Sequence, residues 1–345
     1  MLEANETDLL AQLLSRRLLL VTGKGGTGKT SVAAALGRLA AQRGVRTLVV
    51  ELGHAAVLPD LLGAAPPAAG ADALRDPRPA GPNLFTLRLV PEEALLEYLE
   101  LQLRVRMLAR GIVGNAGFKR FLEAAPGWRE LITLGKLWHM ATRSDAGGAP
   151  LWPLIVIDAP ATGHGLSLLS TPTVILDTVR LGPLRRNTDL VQALLTDANQ
   201  TLVLTVTLLE ELPVNETLEL RARVRELGLG LGPVIANGVE PPLELPDAER
   251  VLERVAGLDA RAAPSPLADP RALCASARHK LSRAHMHAGF LAKLERETGG
   301  LPRVLPWLEG GVDGPDGVGA LARELERALS ASGGGEAPAA RERRA

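Results

Sequence analysis

Four residues carry the first chemical signal. Gly23, Gly28, Lys29 and Thr30 satisfy the spacing G-x-x-x-x-G-K-[ST] within LLLVTGKGGTGKTS at 18–31. Glycines at such positions let the backbone turn so that successive N–H groups, here along Gly25, Gly26, Thr27 and Gly28, converge on phosphate oxygens. A lysine in the place of Lys29 reaches the β- and γ-phosphates of a nucleoside triphosphate, and a hydroxyl in the place of Thr30 ligates Mg²⁺. A second lysine, Lys24, follows the first glycine directly. An ordinary phosphate loop does not need it, and the chain has six lysines against 33 arginines, two of them in this loop. A solvated surface lysine is the alternative reading of Lys24.

The pattern has meaning only between a strand and a helix. Residues 18–21 form a short apolar run of the kind found in a buried parallel strand. The alanine-rich stretch 31–42, opening on Ser31, reads as the helix. A second β-rich run, 45–51 (VRTLVVE), completes a βαβ unit within some 35 residues, which predicts a parallel sheet with a right-handed crossover. Further strands are expected at 83–90, 154–158, 201–207, 233–237 and within 301–308. Helices are expected at 2–17, 165–181, 188–199, 215–227, 271–297 and 318–329. Residues 63–83, with seven alanines and five prolines, read as an irregular surface excursion. From Pro91, apolar residues such as Leu95, Leu99, Leu103 and Met107 recur at helical spacing, and a second helical stretch covers 128–143. So much helix between consecutive strands exceeds a crossover and predicts an insertion over about 91–150. It either packs on itself or carries specificity. The expected organisation is one domain over 1–331 with a disordered tail at 332–345.

The run LIVID at 154–158 places Asp158 at the carboxyl tip of a buried strand, where a nucleotide's Mg²⁺ is held. Asp158-Ala159-Pro160-Ala161-Thr162-Gly163-His164-Gly165 follows, and Gly163 would let this segment track the γ-phosphate.

Composition narrows the classes. Hydrophobic content of 46% and a charged fraction of 23% fit an ordinary globular protein. A formal net charge of zero removes electrostatic support for nucleic-acid or anionic-membrane binding. Cys274 is the single cysteine, which excludes an intramolecular disulfide and a cysteine-rich metal site. The acidic start MLEANETDLL lacks signal-peptide order, and no apolar run approaches the ~18 residues of a membrane span. The expectation is a soluble cytoplasmic protein without a stable membrane anchor. His285 and His287 point to different helix faces at a spacing of two, which argues against a metal pair.

The loop with its extra lysine resembles the deviant Walker A ATPases. D-A-P-A-T-G-H-G followed by LSLLSTP resembles the switch II segment of the ArsA family, and LLEELPVNETLEL at 208–220 resembles a segment of its bacterial branch. With 22–31, 48–63, 158–172 and 234–237, the matches span most of an ATPase core. The resemblance implies a P-loop NTPase of the SIMIBI type, a doubly wound, mostly parallel α/β sheet with a helical insertion, binding ATP and Mg²⁺. It implies a nucleotide-switched homodimer, or a heterodimer with a paralogue, serving a protein client, and gives Lys24 the task of reaching the partner's nucleotide. It also implies that Asp158 senses Mg²⁺ and γ-phosphate, that Asn237 in VIANG reads adenine, and that Pro306 in Leu305-Pro306-Trp307 closes over the base. A strand-end Asn and a loop Pro also have ordinary turn explanations.

There are departures. Where the family places a water-orienting aspartate followed by proline, this chain has Val50-Glu51-Leu52-Gly53-His54. Glu51 keeps the carboxylate with one more methylene, and a misplacement of about an ångström can cost on the order of a hundredfold in rate. Slow hydrolysis, with Lys24, Glu51 and Asp158 as catalytic residues, is the leading expectation. A client-binding or regulatory switch with little hydrolysis is the rival, and a small-molecule phosphotransferase the third reading. A solvated His54 is expected. Arsenite chemistry needs several thiolates, and the zinc-bridging Cys-x-x-Cys of the tail-anchored-protein targeting factor is missing too.

Overall fold

A computed structural model describes residues 9–53, 56–67, 76–103, 107, 111–113, 115–124, 127–241, 247–257 and 269–330. Its strands are β1 (Leu18–Thr22), β2 (Thr47–Leu52), β3 (Arg78–Gly81), β4 (Leu84–Leu89), β5 (Leu154–Asp158), β6 (Thr201–Thr207), β7 (Leu231–Val239) and β8 (Arg303–Pro306). They form one sheet in the order β3-β4-β2-β5-β1-β6-β7-β8. All neighbours are parallel except β3 and β4. From β1 the chain builds outward both ways, through β5 and β2 on one side and β6 and β7 on the other. That reversal opens a crevice at the carboxyl end of β1, where doubly wound sheets bind ligands.

Period-two alternation explains why the central strands are apolar throughout. Leu18 and Leu20 of β1, with Ile155 and Ile157 of β5, face one helical layer. Leu19 and Val21, with Leu154 and Val156, face the other. The first layer is built by helices Trp128–Thr142, Thr162–Thr178, Pro183–Thr196 and Glu211–Glu226. The second is built mainly by Lys29–Gln42 and Gly314–Ser330. With both faces covered, polar side chains on these strands are confined to strand ends or must find partners.

The helix Lys29–Gln42 lies close on β2. A Cβ on Gly37 would stand 2.2 Å from Val49 Cγ2, so this mid-helix glycine is a packing requirement. Gly37→Val is expected to lower unfolding free energy by about 1–3 kcal/mol through overpacking. The urea midpoint should fall without a change in slope. An unchanged midpoint would mean that the helix can lift off β2 freely.

Three expectations need correction. Part of the stretch 63–83 is ordered as β3, an antiparallel edge strand (RPAG) on β4. Its proline and glycine suit an edge, where one side of the ladder needs no partner. A helix at Ala248–Ala256 was not expected at all. Within 91–150, helix Trp128–Thr142 packs Leu134, Leu137 and Met140 into the sheet core. Its neighbour Pro91–Leu103 is tied to it by the Glu97–Lys136 ion pair. Met107 is 84% exposed and leaves the apolar stripe assigned to it. The first residues of the expected helix 2–17, His54, Leu103's side chain and the tail 332–345 lie outside what is described. No helix among the described residues is long and apolar enough to cross a membrane.

Candidate functional site

The carboxyl end of β1 runs into the glycine loop. A Cβ on Gly23 would lie 2.1 Å from the Val206 carbonyl oxygen, so the loop leaves β1 pressed on the backbone of β6. Gly28 has φ 87°, and a Cβ there would meet Asn237 Nδ2 at 2.2 Å. The Asn237 amide in turn donates to the Thr27 carbonyl at 2.9 Å, which fastens the end of β7 to the loop. Gly28 caps helix Lys29–Gln42 without any side-chain hydrogen bond. The first-turn N–H groups and the positive end of the helix dipole therefore open onto the loop, an arrangement suited to an anion.

The polar side chains of the loop are held by one another. Lys29 Nζ and the Thr27 hydroxyl both donate to the Lys24 carbonyl oxygen, each at 2.9 Å. The Thr30 hydroxyl donates to Asp158 Oδ2 at 2.7 Å. Strand register sets Asp158 opposite Val21 of β1 and Glu51 of β2, so the two carboxylates stand on neighbouring strands to one side of the loop, at the carboxyl ends of the strands. Asp158 is only 8% exposed, and its Oδ1 is buried without a hydrogen bond. Burial pushes its carboxyl up to about 6; the Thr30 hydrogen bond and Lys29 oppose this, while the Glu51 charge adds to it. Burial likewise lowers Lys29, with Asp158 pulling the other way.

An orphaned buried carboxylate oxygen beside a threonine hydroxyl is a hard-oxygen donor set, which fits Mg²⁺. Magnesium commonly takes one or two protein oxygens and completes its shell with water and substrate phosphates. Among the described residues no three His, Cys, Asp or Glu cluster into a metal cage.

The family model for anion-transporting ATPases matches residues 16–186, which include the glycine loop, Glu51 and Asp158. ATPase BagA of Mycobacterium tuberculosis (strain ATCC 25618 / H37Rv) is 33% identical over 244 residues, 70% of this chain and 71% of that protein. The chain belongs to the ArsA family of ATPases. More distantly, ATPase GET3B of Arabidopsis thaliana is 29% identical over 190 residues, 49% of this chain and 43% of that one.

In this ArsA-family chain the remaining expected site residues are not all where their assigned tasks would put them. Ser31 is half-buried in the first turn of the loop helix, and Gly25 and Gly26 border open space. Glu51 is 3% exposed, and both its oxygens are engaged: Oε1 accepts from the Val57 N–H at 3.0 Å and Oε2 from the Leu58 N–H at 3.3 Å. Glu51 thereby anchors the start of helix Leu58–Leu62 to β2. Pro306 ends β8, and the Trp307 N–H donates to the Val239 carbonyl, so the β8 end sits against β7 beside Asn237. Trp307 is 60% exposed there. His287 is buried and His285 exposed, on different faces of their helix.

Gly163 has open space around it, whereas a Cβ on Gly165 would lie 2.9 Å from both the Pro160 carbonyl oxygen and Thr22 Oγ1. The close approach of this segment to β1 therefore depends on Gly165. The expected role of Lys24 lies across a dimer, but its ammonium is 3.1 Å from Glu216 within the same chain. Neither Glu216 nor Thr162, which donates to it, was singled out from sequence. The available signal was Glu216's place in the segment 208–220.

Proposed function

We propose that this chain is a Mg²⁺-dependent ATPase that hydrolyses ATP slowly and works as a nucleotide-switched pair of chains, either identical or related. The observation that carries it is the Thr30–Asp158 pair with its orphaned oxygen, set beside Lys29 at a helix N-terminus that no side chain caps. In this reading the loop N–H groups and the helix N-terminus hold the phosphates. Lys29 exchanges the Lys24 carbonyl for phosphate oxygens. Thr30 and Asp158 would hold Mg²⁺, which when bound supplies neutralisation of phosphate charge. Asn237 and Pro306 would flank the base. Lys24 would complete the site of the neighbouring chain. Phosphoryl transfer asks mainly for positioning and charge, which these groups can supply without covalent chemistry.

The test is single-turnover phosphate release with and without Mg²⁺, on the wild type and on Lys24→Ala. The expected result is slow, Mg²⁺-dependent release, with ATP affinity spared and turnover reduced at least tenfold in Lys24→Ala. Equal turnover would sink the cross-chain role. A specific observation favours a second reading. With both Glu51 oxygens engaged by backbone N–H groups, the residue assigned to the attacking water is occupied. A chain that binds ATP to switch its shape for a protein client, and releases no phosphate in that assay, would fit it.

A further inference from the structure

Helix Glu211–Glu226 follows β6 and brings Glu216 to the glycine loop. Glu216 Oε1 stands 3.1 Å from Lys24 Nζ, with the two side chains 26% and 30% exposed. Its other oxygen, Oε2, accepts the Thr162 hydroxyl at 3.3 Å. One carboxylate thus joins three segments: the loop after β1, the segment after Asp158, and the helix after β6. Thr162 is four residues beyond Asp158 and begins helix Thr162–Thr178. Any displacement of the Asp158 segment therefore acts on the Thr162 hydroxyl. A lysine has one ammonium, and while it is paired with Glu216 it is not extended toward another molecule.

We propose that Glu216 is a clasp that keeps Lys24 in its own chain until the Asp158–Thr162 segment moves. Thr162 orients one oxygen of Glu216 so that the other faces Lys24. When the segment rearranges around bound phosphate, the Thr162 hydroxyl withdraws, the carboxylate loses its orientation, and Lys24 is released to the neighbouring chain. The device makes the pairing of chains depend on what occupies the site. It rests on the cross-chain role given to Lys24 above. Glu216 is a positioning residue, since it acts through Lys24 and Thr162. An ion pair with this much solvent contact biases an equilibrium by roughly two- to fivefold, which is enough to delay engagement and small enough to be reversed by ligand.

The experiment follows ATP turnover per chain against protein concentration, using the full chain with Mg²⁺ and ATP. Glu216→Gln keeps the size and an acceptor but removes the charge; Thr162→Val breaks only the link to the Asp158 segment. Both are expected to lower the protein concentration of half-maximal turnover, Glu216→Gln by about two- to fivefold. Sedimentation should show the same shift in association. The double variant Lys24→Ala/Glu216→Gln should match Lys24→Ala alone, a dependence that a merely structural role for Glu216 would not produce. If Lys24→Ala is impaired while both clasp variants follow the wild-type curve, the clasp alone is overturned. A shift by Glu216→Gln that persists in the Lys24→Ala background also overturns it. If Lys24→Ala turns over like the wild type, the cross-chain reading falls and the clasp falls with it.

Discussion

Lys29→Ala is expected to abolish useful ATP binding while leaving the fold standing. Among the described residues the Lys29 ammonium donates to the Lys24 carbonyl alone, and burial already disfavours its charge. Removing it therefore takes away little that holds the native state together. In the proposed bound state the same ammonium faces phosphate oxygens, where each hydrogen bond to a charged partner contributes about 1.5–3 kcal/mol. Two such bonds correspond to a loss on the order of 10²–10⁴ in affinity. The readout is thermal stability with and without Mg²⁺ and ATP. At ATP a hundredfold above its dissociation constant, a binding-competent chain gains about 2.7 kcal/mol. The wild type should show that upward shift; the variant should melt near the unliganded wild-type temperature and show none. A shift of wild-type size in Lys29→Ala would remove this lysine from the site.

Much of this site could be read in the chain because local chemistry is local in sequence. The loop, its strand and its helix are contiguous, so spacing alone placed Lys29 and Thr30 at the start of the helix that follows β1. Asp158 was legible because a buried strand ending in an acid has few other uses. The contacts that organise the site are different in kind. Thr30 and Asp158 are 128 residues apart, and Asn237 and Thr27 are 210 apart. Only the strand order, with β5 and β6 on either side of β1, brings them together. A list of strands does not contain that order. Glu51 illustrates a different limit: its position was visible, but its use as an anchor depends on where the Val57 and Leu58 N–H groups fall. The edge strand β3 was hidden by a proline and a glycine, which signal loops except where a sheet ends. The helix Ala248–Ala256 does carry the signal, with Ala248, Val251, Leu252, Val255 and Ala256 at helical spacing; at nine residues it is shorter than the stretches expected to be helical.

Asp158 combines the need for a buried charge with its cost, and that makes Asp158→Asn the second large effect. In the unfolded chain its carboxyl titrates near 3.8, and in the folded chain near 6. Folding therefore favours the protonated form. The stability this group contributes is fully present below about pH 4 and is lost as pH rises through 6. At about 1.4 kcal/mol per pH unit, the loss is at most about 3 kcal/mol by neutral pH. An asparagine keeps an acceptor for the Thr30 hydroxyl and carries no charge to bury. The variant should thus be close to the wild type in stability at pH 4 and more stable by up to about 3 kcal/mol at pH 7.5. On the proposed role, its turnover should fall by two or more orders of magnitude, because the oxygen that would hold Mg²⁺ no longer bears charge. Wild-type affinity for Mg²⁺ should weaken below pH 6, where the proton competes for the same carboxylate. Denaturant midpoints at the two pH values, set beside phosphate release at pH 7.5, measure both halves. A variant that is less stable at neutral pH, or that turns over like the wild type, would mean that Asp158 is a structural carboxylate and that the Mg²⁺ site lies elsewhere.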